Sequence, residues 1–248
     1  MKRSTNYILS IAGFDPSGGA GLLADIKTFE QVGGLGMGVQ TANTIQTEGK
    51  FIAVNWIDEN TVLQQLEVLL NQYTFKTVKI GLIHHLTMLE KVIELCLKNH
   101  PKVKIIWDPI LSASAGFDFT HDISTLDSVL PKLFLITPNW DEVMILSGNK
   151  DAIEGGQTLS KQVKVLLKGG HNQQDRGKDY LIEGSKVRAF NPKPVRYGAK
   201  HGSGCVFSAA LAANLTKGYP LQKSILRSKR YVEAFLSSHP SLLGKHKL

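Results

Sequence analysis

The chain has 248 residues, 42% of them apolar, with 29 Lys and Arg against 21 Asp and Glu for a net charge of +8. That length suits one large domain, read as residues 1–248, and the composition excludes both a disordered chain and a disulfide-stapled miniature. The charge favours anionic partners. The one dense basic stretch, residues 217–230, spaces Leu221, Ile225 and Leu226 opposite its cations as a solvated helix face does, and no nucleic-acid-binding motif accompanies it. Small phosphorylated ligands fit the charge equally well, and no apolar run is long enough to span a membrane. Two cysteines, Cys96 and Cys205, stand in unlike contexts without CxxC or Cys/His spacing, which speaks against zinc and for a reducing, cytoplasmic setting.

In chain order, short β-branched runs at 7–13, 38–45, 77–83, 103–108, 134–137 and 163–168 are predicted strands, several of them apolar on both faces. Between them 21–32, 61–73, 86–99, 123–130 and 140–147 carry apolar residues at helical spacing. Residues 178–182 and 186–190, either side of Glu183-Gly184-Ser185, read as a β-hairpin, and helices at 203–217 and 221–237 close the chain. Residues 148–162 read as a short polar connector. The alternation predicts an α/β fold: a mainly parallel central sheet, helices on both faces, and ligands just beyond the strands' carboxyl ends.

Candidate chemistry falls at those ends. Residues 13–21, Gly-Phe-Asp-Pro-Ser-Gly-Gly-Ala-Gly, join the first strand to the first helix, and such a loop lets backbone approach a ligand closely at a helix N-terminus. Residues 19–24 match GxGxxA, but five residues separate Gly13 from Gly19 and 42–44 offer no acid, so a nicotinamide or flavin site is disfavoured; a tight turn without a ligand is the plainer alternative. Asp25 is either an acid near a positive helix end or a carboxylate aimed at a polar heterocycle, and Gln46 at the second strand's end could donate to and accept from a ring edge.

Asn139 and Glu142, three apart on an opening helix turn, read either as a cap or as holders of water on a magnesium ion. Lys168 ends a strand ahead of Gly169-Gly170-His171, placed to neutralise a phosphate. Gly202-Ser203-Gly204-Cys205 opens a strong helix, a ready anion hole whose positive end is expected to lower the Cys205 thiol pKa and let it take a proton from a hydroxyl. The alternative there is a small buried residue at a tight helix start, and Cys96, on an amphipathic helix, reads as packing. No GxxxxGK[ST] is present, so nucleotide chemistry would not be of the P-loop kind.

Taken in order, Ile11-Ala12-Gly13 with residues 15–21 and Asp25, Thr41-Ala42 with Gln46, Lys79-Ile80-Gly81, Asp108-Pro109, Thr137-Pro138-Asn139 with Glu142, residues 168–171 and residues 201–205 resemble the hydroxymethylpyrimidine and phosphomethylpyrimidine kinases of the ribokinase-like superfamily. The resemblance implies a ribokinase-like fold and an ATP- and magnesium-dependent transfer of phosphate to a hydroxymethylpyrimidine, and to its monophosphate, in thiamine biosynthesis. It implies that Gly13, Ala20, Asp25 and Gln46 hold the pyrimidine and that Cys205 faces the hydroxymethyl or phosphate group. Gly202 and Gly204 would form the anion hole, Asp108, Lys168 and Ser203 would lie at the ATP phosphates, and Asn139 and Glu142 would order magnesium. A homodimer is suggested. A pyridoxal or pyridoxine kinase and a non-catalytic pyrimidine-binding protein remain alternatives, the latter because the resemblance implies a further helix where residues 148–162 read as a connector.

Overall fold

Leu9 and Ile11 of β1 (Tyr7–Phe14) point into one apolar cluster and Ile8 into another, all three fully buried, so this strand must be covered on both faces. The computed structural model describes residues 6–113, 117–118, 125–172, 174–194 and 198–246. Within them β1 is joined by β2 (Leu35–Thr47), β3 (Lys50–Trp56), β4 (Thr77–Ile80), β5 (Lys104–Trp107), a separate small pair β6 (Ser112–Ala113) and β7 (Phe117–Asp118), β8 (Leu135–Ile136), β9 (Lys164–Leu167), β10 (Asp179–Glu183) and β11 (Lys186–Phe190). The main sheet has nine strands in the order β11-β10-β9-β8-β5-β4-β1-β2-β3. The six inner strands from β2 to β9 make five parallel pairings, and antiparallel pairs in this sheet occur only at the edges, where β3 and the β10–β11 hairpin attach.

The helices are α1 (Gly21–Val32), α2 (Glu59–Gln72), α3 (Leu86–Asn99), α4 (Leu126–Val129), α5 (Trp140–Ser147), α6 (Ala152–Leu159), α7 (Ser203–Thr216) and α8 (Leu221–Leu236). Strand alternation sorts them. Ile105, Trp107, Val165 and Leu167 face α2 to α6, whereas Ile106 and Leu166 face α1, α7 and α8. Helix α7 is buried along its length from Cys205 to Thr216, with Ala209, Ala210, Ala212 and Ala213 letting α1 and α8 approach closely. The chain passes from β1 to β2 on one side and later to β4 on the other, so the direction of winding reverses at the β1/β4 boundary, where open α/β sheets bind ligands.

Three local expectations change. The polar connector at 148–162 contains α6, started by the Asp151 side chain, which accepts from the N–H groups of Ile153 and Glu154. Gly155 and Gly156 lower its intrinsic helicity, but both are buried against Ser147 and Ile182, and packing supplies what propensity lacks. Strand β3 was not anticipated; it pairs with β2 after a turn at Glu48-Gly49 and makes the sheet edge. The helix expected at 123–130 is confined to α4 and a following 3-10 turn, its first two residues lying outside the described ones.

Beneath the carboxyl ends of β1 and β4 lies a buried polar triad on the α1 side of the sheet. Asp25 Oδ2 accepts from Lys79 Nζ at 2.7 Å and from Ser10 Oγ at 2.5 Å, and the Asp25 and Lys79 side chains have no solvent exposure. Burial pushes the Asp25 carboxyl up, against the pull of Lys79 and Ser10. Burial alone would lower Lys79, but Asp25 above all, then Cys205 and Asp108, outweigh it and hold the ammonium above its ordinary range. Removing one partner strands the other charge, so Lys79→Met should lower unfolding stability by about 3–5 kcal/mol in urea titrations. Adding Asp25→Asn should recover part of that loss; equal stability of Lys79→Met and the parent would show that the pair carries no weight.

Candidate active site

The pairing of β1 with β2 skips at Gly13, and the chain leaves the sheet as a loop folded around one carboxylate. Asp15 Oδ1 accepts from the Ser17 N–H at 2.9 Å; Oδ2 accepts from Ser17 Oγ and from the Ala20 N–H, both at 2.9 Å. Oδ2 also takes His201 Nε2 at 2.9 Å, across 186 residues of sequence. Burial works to raise the Asp15 carboxyl, but the bonds from His201, Ser17 and Ala20 prevail and hold it below the usual carboxylate range. An ionised Asp15 can only accept, so His201 Nε2 carries a proton.

His201 leads into Gly202, whose φ of +70° suits glycine, and a Cβ there would collide with the Gly19 carbonyl. The two glycine loops thus lie against each other, and the N-terminus of α7 opens beside the Ala20–Gly21 peptide. Its first N–H groups, from Ser203 to Cys205, have no carbonyl of a preceding turn to meet and are available to an anion.

Across from this helix end, Lys168 directly follows β9. Its Nζ donates to Asp108 Oδ1 at 2.5 Å, stands 3.9 Å from Glu142 Oε2, and lies against Gly204 of the anion hole. Burial opposes the Lys168 charge, yet Asp108 and Glu142 raise its pKa. Burial likewise works against Asp108, but Lys168 and then Lys79 hold it below the usual range, and Thr137 Oγ1 at 2.9 Å and Ser208 Oγ at 3.0 Å complete its bonds. The loops after β8 and β9 are zipped together, Lys168 N–H donating to the Pro138 carbonyl at 2.8 Å.

Asn139 and Glu142 form a capping box on α5: Asn139 Oδ1 accepts from the Glu142 N–H at 2.8 Å and Glu142 Oε2 from the Asn139 N–H at 2.7 Å. The capping reading therefore holds, and it leaves Glu142 Oε1 without a hydrogen bond from the described residues on a side chain that lines the cavity. Burial, against the pull of Lys168 and with Asp108 adding to it, pushes the Glu142 carboxyl up to about 7. A spare carboxylate oxygen beside a lysine and a helix N-terminus fits a hydrated divalent cation carried on phosphates.

One cavity of about 290 Å³ runs across these strand ends. At the β2–β3 edge Gln46 and Phe51 line it with Gly13, Ala20 and Leu82. Gln46 Nε2 donates to Thr44 Oγ1 at 2.9 Å, leaving its carbonyl oxygen to face a ligand. The middle is Asp108, Lys168, Asn139 and Glu142 on one side and Gly202, Ser203, Gly204 and Cys205 on the other. Toward the β10–β11 edge the lining turns apolar, with Phe207, Pro192, Val232 and Leu236 beside the buried Asp179–Lys229 pair (2.7 Å).

All but one of the residues singled out in the sequence meet in this cavity. The exception is Asp25, which is sealed beneath it against Lys79 rather than exposed to a heterocycle. A carboxylate one helical turn into α1 lies over the sheet, and a buried cation 54 residues away is a partner that no local pattern reveals. The Cys205 expectation also changes. Its side chain reaches the cavity with 8% exposure, but burial pushes the thiol up to about 11, Lys79 and the Gly21 N–H opposing, Asp108 and Asp25 assisting. Desolvation beats the helix end, so the group is a neutral thiol. Cys96 is core packing, as expected.

Asp15, Lys79, Asp179, His201 and Lys229 were not assigned roles in the sequence. For Asp15 a signal exists: Asp-Pro-Ser-Gly is turn chemistry in which the carboxylate bonds backbone two residues on. The other four act through partners remote in sequence.

The family described as phosphomethylpyrimidine kinase matches residues 15–248. The chain belongs to that family. Among its relatives, the hydroxymethylpyrimidine/phosphomethylpyrimidine kinase of Aquifex aeolicus is 32% identical over 94% of this chain and 95% of its own length. That of Staphylococcus aureus (strain N315) is 30% identical over 94% and 89%. Among solved structures, phosphomethylpyrimidine kinase from Clostridium difficile 630 superposes with a TM-score of 0.75 at 27% identity, covering 91% of this chain and 97% of that one. Pyridoxal kinase from Staphylococcus aureus in complex with ADP superposes at 0.86 and 22% identity, covering 98% and 94%, a likeness of fold. The phosphomethylpyrimidine kinase fold is ribokinase-like here, as the motifs implied.

A thiol near 11 makes a testable statement. From pH 7 to 9 the rate of Cys205 alkylation should climb about tenfold per unit without levelling, because only the deprotonated form reacts and its fraction is still small. Mass-spectrometric rates with iodoacetamide check this; a plateau below pH 8 would restore the thiolate.

Proposed function

We propose that the protein transfers the terminal phosphoryl group of ATP to 4-amino-5-hydroxymethyl-2-methylpyrimidine, and to its monophosphate, in thiamine biosynthesis. The observation that carries this reading is one continuous cavity that runs from Gln46 and Phe51 to the N-terminus of α7 and Lys168. Family membership supplies the reaction class; the cavity supplies a place for each part of it.

In this reading Gln46 and the Gly13 and Ala20 backbone orient the pyrimidine so that its hydroxymethyl arm points at the helix end. Magnesium-ATP, when bound, supplies the phosphoryl group and the divalent charge that offsets it. Lys168, held cationic by Asp108 and Glu142, and the N–H groups of residues 203–205 stabilise charge on the equatorial oxygens as the phosphoryl group passes across. Asn139 and Glu142 hold metal-bound water, Glu142 through its spare oxygen. The apolar stretch at Pro192, Val232 and Leu236 takes the nucleotide base. Cys205, a neutral thiol, shapes the acceptor pocket and leaves positioning and charge neutralisation as the main sources of rate.

The test is one assay of purified protein with magnesium-ATP against the hydroxymethylpyrimidine, its monophosphate, pyridoxal and pyridoxine. Product from the two pyrimidines supports the proposal, preference for pyridoxal transfers it to the other vitamin, and no product from any of the four removes it. Within the same assay Gln46→Ala should weaken pyrimidine binding by about 1–3 kcal/mol while leaving ATP affinity nearly unchanged. Equal loss of both would make Gln46 structural.

Residues 1–248 are read as a single kinase domain on one continuous sheet, working in the reducing cytoplasm that its free Cys96 and Cys205 suit. Among the described residues no helix is long and apolar enough to cross a membrane. A homodimer is part of the proposal: β3 is an open sheet edge, and Ile45 and Ile52 beside it are 47% and 59% exposed. Light scattering should give twice the 27.2 kDa chain mass, and Ile52→Lys should shift it toward one; a monomeric parent refutes the dimer.

A further inference from the structure

After α8 the chain turns back over the two glycine loops. Ser238 Oγ accepts from the Lys245 N–H at 2.7 Å, closing residues 238–245 into a compact strap. His246 then seats this strap on the protein body: its ring lies 4.9 Å from that of Phe235, and its Nδ1 is 3.1 Å from the Tyr231 hydroxyl. On the other side the strap reaches the peptide that leads into the anion hole. The His201 N–H donates to the Leu242 carbonyl at 2.9 Å, and Leu243 covers Gly19.

Lys200 makes the most unusual of these contacts. The residue is buried, yet its ammonium pairs with no carboxylate among the described residues. Its Nζ donates instead to two main-chain carbonyls of the strap, His239 and Ser241, each at 2.5 Å. A buried ammonium without such partners is expensive, so Lys200 is satisfied only while the strap is docked, and the strap's turn is stabilised only while Lys200 is present. The peptide so held ends two residues later at Gly202, whose left-handed backbone aims the first N–H groups of α7 into the cavity.

We propose that Lys200 is a positioning residue for phosphoryl transfer: its ammonium fastens the 238–245 strap to the peptide before Gly202 and thereby sets the anion hole. The inference rests on the kinase reading for its catalytic half, but its structural half can be read without turnover. Donors whose aim matters in the transition state contribute more to kcat than to ground-state binding. Loosening them should therefore lower turnover while leaving KM for the pyrimidine nearly constant.

The experiment compares the parent with Lys200→Ala by hydrogen exchange and by kinetics. The hydrogen-bonded amides of His201, Ser241, Leu243 and Lys245 should exchange at least tenfold faster in the variant, with β1 and β4 unchanged, and kcat should fall about 10- to 100-fold with KM within threefold. Ethylammonium, which can fill the vacated space with a charge, should restore part of both, whereas ethanol should not. Unchanged exchange at His201, or a loss spread over β1 and β4 that ethylammonium does not reverse, overturns the proposal. A parent that turns over none of the four substrates fails the kinase reading alone, because the exchange pattern still decides whether Lys200 links strap and loop. Should Lys200→Ala fold poorly, Gly244→Ala, which forces a methyl against Phe235 and lifts the strap from its seat, must produce the same faster exchange at His201 or the linkage is refuted.

Discussion

One carboxylate holds the site together. Asp15 accepts from two backbone N–H groups and a hydroxyl of its own loop, and a fourth bond reaches His201 on the peptide before α7. Without it the loop after β1 would have no reason to curl toward α7, and the N-terminus of α7 would lose its fixed distance from the backbone of residues 13–21. Because the carboxylate is nearly buried, each of its bonds matters more than it would in water, and a carboxylate so surrounded stays ionised at the pH of the cell. The constraint is local in energy and global in consequence, since it joins the first fifteen residues to a helix near the other end of the chain.

Around that junction charges alternate. Asp25 sits with Lys79, Asp108 with Lys168, and Asp179 with Lys229, each pair buried beneath or beside the cavity. Lys79 and Lys168 are kept cationic by their aspartates, so the cavity's potential is set before any ligand arrives. The same burial has the opposite effect on groups lacking a tight partner. Glu142 is pushed toward neutrality, and Cys205 stays a thiol despite its place on the first turn of α7. Preorganised charge, with no reactive thiolate in it, is the arrangement expected where catalysis consists mainly of holding groups in place.

The parallel sheet was legible because buried strands carry short runs apolar on both faces, Ile105-Ile106-Trp107 and Val165-Leu166-Leu167 among them, and the β10–β11 hairpin because Glu183-Gly184-Ser185 is turn chemistry. Gly13, Gln46, Lys168 and Gly202 could be singled out because each lies at or just past a strand's end or opens a helix, where fold rules alone place ligands. Helix α6 was hidden because two glycines suit close packing against Ser147 and Ile182 better than they suit an isolated helix. The position of Asp25, the thiol state of Cys205 and the grip of Lys200 share a cause: each is decided by a group 39 to 54 residues away or by burial, neither of which has a period or a spacing.

Helix α7 has no solvent face between Cys205 and Thr216, and α1 and α8 close on it from either side. In the proposed reading, the end of the cavity that would grip phosphate is therefore continuous with the packed α1–α7–α8 core, while the end that would meet the ring belongs to β2 and β3 at an open sheet margin. Descent should treat these two halves differently. Substitutions near Gln46 and Phe51 can trade one vitamin precursor for another at small cost to folding, whereas the phosphate grip changes only by disturbing three packed helices at once. A scaffold divided in this way can acquire new acceptors without relearning how to hold the donor.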